Sequence, residues 1–185
     1  MTTDAAIAGL VARARQGDAE ASATLVRGHL RAAYVVALAI LRRPHDAEDL
    51  VQEALLVAFE RLDECREPER FAAWLLQIVR NRARNARLRR RLTEVFLGRP
   101  SEAEGVAASA AGDAGLRHRL LGALDHLSAQ QREVVLLHDL EGWTHGEIAG
   151  ALGISEVNSR QHLFQARKVL RGLLQDEKSE ELGHG

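Results

Sequence analysis

Apolar residues recur at helical spacing along most of the chain. Residues 4–14 carry them at positions i, i+3, i+4 and i+7, the pattern of an amphipathic helix, which the pair Gly17-Asp18 interrupts. A second helix is predicted over residues 19–41, and Pro44 ends it because proline disfavours helix in the residue before it. The chain therefore begins with two predicted helices and a proline break.

The third predicted helix has one apolar face and one acidic face. Asp46 is placed to cap its N-terminus. The apolar residues that should point inward are Leu50, Val51, Ala54, Leu55, Ala58, Phe59 and Leu62. The opposite face carries Asp46, Glu48, Asp49, Glu53 and Glu60. This helix is predicted to present a negatively charged surface to solvent.

A polar loop over residues 63–69 precedes a fourth predicted helix, whose later turns are densely basic. Phe71 and Trp74 near its start are assigned to the core rather than to a base-stacking platform. The basic run consists of Arg80, Arg82, Arg84, Arg87, Arg89, Arg90 and Arg91. Closely spaced arginines repel one another unless a polyanion neutralises them, which favours nucleic-acid contact over a merely solvated helix face.

The periodicity divides the chain into two predicted helical domains. It fades over residues 93–115 into Gly, Ala, Ser and Glu, a composition typical of a flexible linker. The acidic end, residues 175–185, is expected to be a solvated, disordered tail. The predicted domains are therefore residues 1–92 and residues 116–174.

The second domain has the pattern of a helix-turn-helix. Ser128 and Gln131 have the spacing of a capping box that opens one helix, and Thr144 and Glu147 repeat it for the next. Gly153 supplies the turn before the last helix. An ordinary helical hairpin with a polar surface is the alternative.

In a helix-turn-helix the second helix enters the major groove and must be apolar inside and polar outside. Leu163, Ala166 and Leu170 are predicted to face inward, and Ser155 can cap the helix. The outward residues that offer contacts to DNA are Asn158, Arg160, Gln161, Phe164, Arg167 and Lys168.

Composition supports helices and restricts the class of protein. Of 185 residues 46% are hydrophobic, 4% are aromatic and three are prolines, which favours an all-α fold of two small domains. The net charge of −1 does not exclude nucleic-acid binding, because binding depends on where charge lies. The lone Cys65 is expected to be exposed and unreactive, and it fits a reducing, cytoplasmic setting. The N-terminus does not have the pattern of a secretion signal, and no apolar run is expected to approach the length of ~20 residues that crosses a bilayer. Membrane insertion is therefore not predicted.

Little in the sequence predicts catalysis. No Ser/His/Asp set or glycine-rich phosphate loop is apparent, and neither a cofactor nor a metal is predicted. His45, Asp46, Asp49 and Glu53 at helical spacing raise the alternative of a metal-dependent hydrolase. An acidic helix N-terminus stabilised by the helix dipole is the favoured interpretation.

The motifs and their order resemble a known family. The sequences DAEDLVQE at 46–53 and FAAWL at 71–75 resemble region 2 of sigma-70 factors. The sequences REV at 132–134, EIA at 147–149 and LGIS at 152–155 resemble region 4. With only these two regions, the chain resembles the extracytoplasmic-function (ECF) group, which directs RNA polymerase to stress-response promoters.

The resemblance implies partners and site residues. The expected partners are promoter DNA, core RNA polymerase through its β′ clamp helices and β flap, and an anti-sigma factor. The residues implied for polymerase binding are Asp46, Asp49, Gln52, Glu53 and Glu60. Those implied for the melted −10 element are Arg80, Asn81, Arg84 and Arg87, next to the loop over residues 63–69. Those implied for the −35 duplex are Thr144, Ser155, Asn158, Arg160, Gln161, Phe164, Arg167 and Lys168.

One departure from the family pattern lies in the recognition helix. Ser159 occupies a position that is usually apolar and inward, so its hydroxyl needs a buried partner, for which a carbonyl one turn earlier is the candidate. A helix-turn-helix regulator that binds operator duplex without polymerase is the alternative function.

Overall fold

The computed structural model describes residues 4–97 and 122–182, and the regular elements in these ranges are all helical. The prediction of an all-α fold is confirmed. Residues 93–97, which the sequence assigned to the linker, continue a helix, and the rest of the predicted linker, residues 98–115, lies outside the described residues.

Four helices form the N-terminal half. They are α1 (Asp4–Arg15), α2 (Ala19–Leu41), α3 (Pro44–Glu60) and α4 (Phe71–Leu97). The predicted break after α1 has a clear physical cause, because Gly17 adopts a positive φ of 83° and the Asp18 carboxylate accepts hydrogen bonds from two backbone N–H groups of α2. The four helices pack against one another around a shared apolar core.

The prediction that Asp46 caps α3 is wrong. The helix begins two residues earlier, with Pro44 at its first position and Arg43 as the N-cap, and the Arg43 side chain makes no capping hydrogen bond. Proline is well suited to that first position because its fixed φ matches the helix and it has no N–H to satisfy. Asp46 instead lies in the first turn, where its charge favours the helix dipole.

The apolar face predicted for α3 is the face that the structure buries. Six of the seven predicted inward residues are at most 9% exposed, and Phe59 is half-buried against the same core. Phe71, Leu75, Leu76 and Val79 of α4 pack into this core with at most 1% exposure. The assignment of Phe71 to the core is therefore confirmed.

Helix α2 is more apolar than the sequence analysis allowed. It is 23 residues long with a mean hydropathy of 1.4 in its most apolar window, so by length and composition alone it resembles a membrane-crossing helix. It packs along α1, α3 and α4, and nine of its residues are buried. These contacts identify α2 as the central core helix of the N-terminal half.

The C-terminal half is the predicted helix-turn-helix. It consists of α5 (Ala129–Val135) with a π-helical continuation (Leu136–Leu140), α6 (His145–Leu152) and α7 (Glu156–Leu182). Both predicted capping boxes form, and Gly153 ends α6 with φ 65°, a conformation that favours glycine. Helix α7 continues to Leu182, so most of the segment expected to be a disordered tail is helical.

The two halves lie against each other. Helix α4 packs against α6, α2 packs against α5 and its π-helical continuation, and apolar residues of both halves form one buried cluster. Ion pairs cross the same boundary between Arg80 and Glu133 and between Arg31 and Glu141. We call this boundary the seam between the two halves.

Candidate nucleic-acid and polymerase interfaces

The outer face of α3 is polar and largely exposed. Asp46 is half-buried, and the exposed members of the predicted polymerase-binding set are Asp49, Gln52, Glu53 and Glu60. Two of the carboxylates contact arginines of α4, with Glu53 Oε2 3.0 Å from Arg82 Nη2 and Asp46 Oδ2 3.7 Å from Arg90 Nη1. Two positions of the arginine run are therefore ion-paired to α3.

The acidic residues of α3 were also the basis of the hydrolase alternative, which requires side chains that converge on a metal ion. Within residues 4–97 and 122–182, no group of three or more His, Cys, Asp or Glu side chains converges in a way that could hold a metal ion. The acidic residues of α3 serve instead as an exposed surface, two of whose members contact arginines within the protein.

The centre of the α3 surface is an apolar residue that the sequence analysis overlooked. Leu56 is 67% exposed, and helical spacing places it beside Gln52, Glu53 and Glu60. Its position three and four residues from polar side chains was the available signal. An exposed leucine within a charged surface has the pattern of an interface anchor, in which one apolar side chain is surrounded by polar contacts.

The basic part of α4 is not uniformly available to a polyanion. Asn81 and Arg84 are exposed, and Arg87 is half-buried. Burial, and then the nearby guanidinium groups of Arg91 and Arg42, lower the pKa of Arg87. An anion bound between these cations would relieve their mutual repulsion.

Arg80 differs from its neighbours because it is buried in the seam. Its Nε and Nη2 atoms donate to the two carboxylate oxygens of Glu133 at 3.1 Å each, and its Nη1 donates to the carbonyl oxygen of Leu152 at 2.7 Å. The side chains of Arg80 and Glu133 are 8% and 0% exposed. Arg80, predicted to contact the −10 element, is thus enclosed by the C-terminal half in this arrangement.

The loop between α3 and α4 is compact. Two short 3-10 turns, Leu62–Glu64 and Pro68–Arg70, fold it, and Arg15 donates to the carbonyl oxygens of Leu62 and Cys65. The expectation that Cys65 is exposed is wrong, since it is 1% exposed and burial raises the pKa of its thiol.

A cavity of about 320 Å³ opens between this loop and the first turns of α4. Trp74, half-buried against the core, forms part of its wall, together with Arg70 and Gln77. One residue from the C-terminal half, Gly150 of α6, completes the lining. The cavity therefore lies at the seam.

Helix α7, for which the sequence analysis predicts DNA recognition, has the apolar inner face and polar outer face that the sequence predicts. Leu163 and Ala166 are at most 5% exposed, and Leu170 is half-buried. The exposed predicted DNA contacts are Thr144, Ser155, Asn158, Arg160, Gln161, Phe164, Arg167 and Lys168. Ser155 caps the helix by accepting from the N–H of Asn158 at 3.1 Å.

A shallow cavity of about 470 Å³ runs along the cationic side of α7. Phe164, 70% exposed, lies there among cations, and Arg171 is a further cation that the sequence analysis did not single out. Arg167 is held by Asp139 through hydrogen bonds of 2.5 and 3.0 Å, so one of the predicted contacts is anchored to the π-helical turn.

The buried Ser159 has a different partner from the expected carbonyl. Its Oγ lies 2.9 Å from His145 Nδ1, across the turn of the helix-turn-helix, and the residue is 0% exposed. Burial, followed by nearby His138 and Arg160, lowers the pKa of His145, which favours the neutral ring as hydrogen-bond partner. The His145 and His138 rings lie 4.8 Å apart.

We expect His145→Ala to destabilise the fold by about 1–3 kcal/mol, because it leaves the Ser159 hydroxyl buried without a partner. Ser159→Ala should cost much less, since the half-buried His145 ring can turn to water. Urea unfolding followed by circular dichroism measures both, and the double variant should be no less stable than His145→Ala alone. Equal losses for the two single variants would contradict this pairing.

Comparisons with known proteins agree with this geometry. The profile of Sigma-70 region 2 matches residues 25–93, and that of Sigma-70, region 4 matches residues 117–170. RNA polymerase sigma factor CarQ of Myxococcus xanthus is 33% identical over 165 residues, which are 88% of this chain and 94% of that protein. ECF RNA polymerase sigma factor SigL of Mycobacterium tuberculosis is 32% identical over 170 residues, 86% of this chain and 94% of that protein.

A solved structure extends the agreement to the fold. The sigma factor RpoE in complex with the anti-sigma factor NepR from Bartonella quintana superposes with a TM-score of 0.67 and 28% identity, covering 82% of this chain and 95% of that chain. The two family profiles, in the order region 2 then region 4, span most of the described residues. The chain therefore belongs to the sigma-70 family, within its extracytoplasmic-function group.

Proposed function

We propose that this protein binds core RNA polymerase and directs it to promoters by contacting duplex DNA at −35 and melted DNA at −10. The protein itself carries out no reaction in this role. The observation that carries the proposal is the outer face of α7, where exposed amide and cationic side chains project from a helix fixed by two capped turns and an apolar inner face.

The −35 contact rests on the chemistry of α7. Gln161 offers both a donor and an acceptor, which suits the paired groups on the major-groove edge of adenine. Arg160 and Lys168 provide positive charge for base or phosphate oxygens. Asn158 and Thr144 lie near the N-terminal ends of α7 and α6, where polar side chains can reach the DNA backbone.

The −10 contact rests on α4 and the loop before it. Asn81 and Arg84 are exposed, and Arg87 is half-buried beside other cations, as a surface for a highly charged single strand requires. The cavity next to Trp74 has the size for an unstacked base and offers an aromatic wall. A flipped base would be held there while the phosphates lie along α4.

The acidic face of α3 is the proposed polymerase contact. Its exposed carboxylates suit a basic partner such as the β′ clamp helices, and region 4 would bind the β flap. The polymerase operates in the cytoplasm, and we place the protein there. The regions proposed for these tasks are residues 1–92 and 116–174, with residues 93–115 as the connection.

We expect Leu56→Ala to weaken binding to core polymerase about tenfold, because it removes the apolar centre of the α3 surface. Leu30→Ala is the matched control, since Leu30 is also exposed, at 44%, but lies on α2. Fluorescence anisotropy with labelled protein and bacterial core enzyme measures both affinities. Equal affinities of Leu56→Ala and the unaltered protein would remove Leu56 from the interface.

An anti-sigma factor is a further proposed partner. The Bartonella RpoE was solved with the anti-sigma factor NepR, and this chain shares that fold. A partner of this kind would hold the protein inactive by covering surfaces that polymerase or DNA needs. Stress-response promoters are the proposed targets in that case.

The decisive experiment is transcription in vitro with bacterial core polymerase on a genomic fragment library, with and without the protein, followed by sequencing of RNA 5′ ends. Start sites that appear only with the protein and share −35 and −10 elements would support the proposal. A folded protein that stimulates no start site with cognate polymerase, yet retains duplex binding, would favour an operator-binding regulator instead.

A further inference from the structure

The seam covers the part of α4 where the basic run begins. The three nitrogens of the Arg80 guanidinium all donate to the C-terminal half. Two donate to Glu133 of α5, and one donates to the last carbonyl of α6. Asn81 and Arg84, one and four residues further, are exposed. The basic run is therefore divided between solvent and the seam.

A second observation places α6 at the cavity beside Trp74. Gly150 of α6 contributes to the lining, and a Cβ atom at Gly150 would lie 3.5 Å from Nη2 of Arg70 on the opposite wall. The cavity and Arg80 are thus both bordered by the same helix. A movement of α5 and α6 together away from α4 would release both, because Glu133 of α5 and Leu152 of α6 both hold Arg80.

We propose that the C-terminal half and single-stranded DNA compete for this face of α4, and that Arg80 exchanges the Glu133 carboxylate for a DNA phosphate when the seam opens. The inference rests on the proposed −10 function of α4. Its partner is a single-stranded polyanion, defined by the phosphate charge and the unstacked base that the face would accept.

The physical basis is the cost of separating a buried ion pair. Removing one partner of a buried pair leaves an uncompensated charge, so the seam stays closed in the absence of another anion. A phosphate supplies a bidentate acceptor of the same charge, which makes exchange far cheaper than separation. The C-terminal half therefore covers this face of α4 in the absence of DNA, and a single strand can displace it.

The other ion pairs across the seam are less buried than Arg80–Glu133. Arg31 Nε lies 2.6 Å from Glu141 Oε1, with the Arg31 side chain 68% and the Glu141 side chain 10% exposed, and Arg42 pairs with Asp125, where both side chains are partly exposed. Because each of these pairs has at least one partner in contact with water, it is screened by salt and costs less to separate than a pair buried on both sides. Among the ion pairs across the seam, Arg80–Glu133 is consequently the one that is most costly to separate without another anion.

The test uses the full chain and four variants. Glu133→Gln keeps the side-chain shape but removes the charge that holds Arg80, and Arg80→Gln removes the cation itself. Arg31→Ala weakens the seam by removing the exposed partner of the nearly buried Glu141 carboxylate, and it alters no core residue. Glu20→Gln is the matched control, because it removes the acid of an exposed pair with Arg27 on α2, outside the seam.

Hydrogen exchange of peptides from α6 and the start of α4 reports opening, and anisotropy of a fluorescein-labelled, mixed-sequence single-stranded 15-mer reports DNA binding. In Glu133→Gln the amide hydrogens of α6 and of the start of α4 should exchange faster. This variant should also bind the strand about tenfold more tightly, since apparent affinity scales with the open fraction. Arg31→Ala should shift both in the same direction by less, about fivefold at most. Arg80→Gln should exchange faster without gaining affinity, and Glu20→Gln should match the unaltered protein.

Two results would overturn the inference. If Glu133→Gln and Arg31→Ala change neither exchange nor affinity, the seam does not restrict DNA, while the sigma function still stands or falls on the transcription assay. If exchange quickens but no variant gains affinity for the strand, the competition and the assignment of α4 to the −10 element fail together. Circular dichroism of each variant verifies that the helices are intact.

Discussion

Replacing Gln161 with alanine should lower affinity for the preferred −35 duplex by about 5- to 150-fold, or about 1–3 kcal/mol, and relax the preference at a single base pair. Gln161 is exposed on the outer face of α7, where its amide can pair with both groups on one base edge. Lys168→Ala should behave differently, because an ammonium group reads phosphate charge and not base identity. It should weaken binding uniformly across sequences.

The two effects separate in one experiment. Affinity is measured by anisotropy for the preferred duplex and for its single-base-pair variants at several salt concentrations. We expect Lys168→Ala to reduce the slope of log affinity against log salt by about one, and Gln161→Ala to leave the slope unchanged. A uniform loss across all duplexes for Gln161→Ala would show that it does not read a base.

Replacing Phe71 with alanine should reduce the free energy of unfolding by about 3–5 kcal/mol. The Phe71 side chain is 1% exposed at the start of α4, with the His29 ring edge-on at 5.2 Å and the Trp74 ring at 6.0 Å. Its removal leaves a cavity where α2 meets α4, and closely packed neighbours relax only partly into such a space.

Leu88→Ala on the same helix is the control for Phe71→Ala. Leu88 is 57% exposed, so its replacement should change the free energy of unfolding by no more than about 0.5 kcal/mol. Urea unfolding monitored by circular dichroism gives both values. A loss below about 1 kcal/mol for Phe71→Ala would show that the core at this position rearranges to fill the space.

Local signals predicted the helices and their ends. The capping boxes at Ser128 and Thr144 and the turn at Gly153 are set by groups within four residues of one another, so spacing alone identifies them. The inward faces of α3 and α7 follow from the helical period in the same way. The Asp46 cap failed because proline and aspartate both favour a helix start, and proline determined it.

Contacts between distant segments were outside the reach of such signals. Arg80 and Glu133 are 53 residues apart, and nothing at either position in the sequence distinguishes a buried ion pair from two surface charges. The link from Ser159 to His145 crosses a turn whose exact geometry decides which side chain reaches the hydroxyl. Leu56 was missed because the prediction sorted this helix into inward apolar residues, such as its buried neighbour Leu55, and outward acidic residues, and an outward leucine belongs to neither set.

The burial of Cys65 makes its thiol a reporter of how often the loop beside the proposed −10 cavity opens. It is the chain's single cysteine, it is 1% exposed, and burial raises the pKa of its thiol, so a thiol reagent finds little reactive thiolate while the loop is folded. Modification then proceeds only through transient openings of the loop. The rate at which such a reagent labels Cys65 therefore measures the frequency of loop opening in the unaltered protein, without any introduced probe.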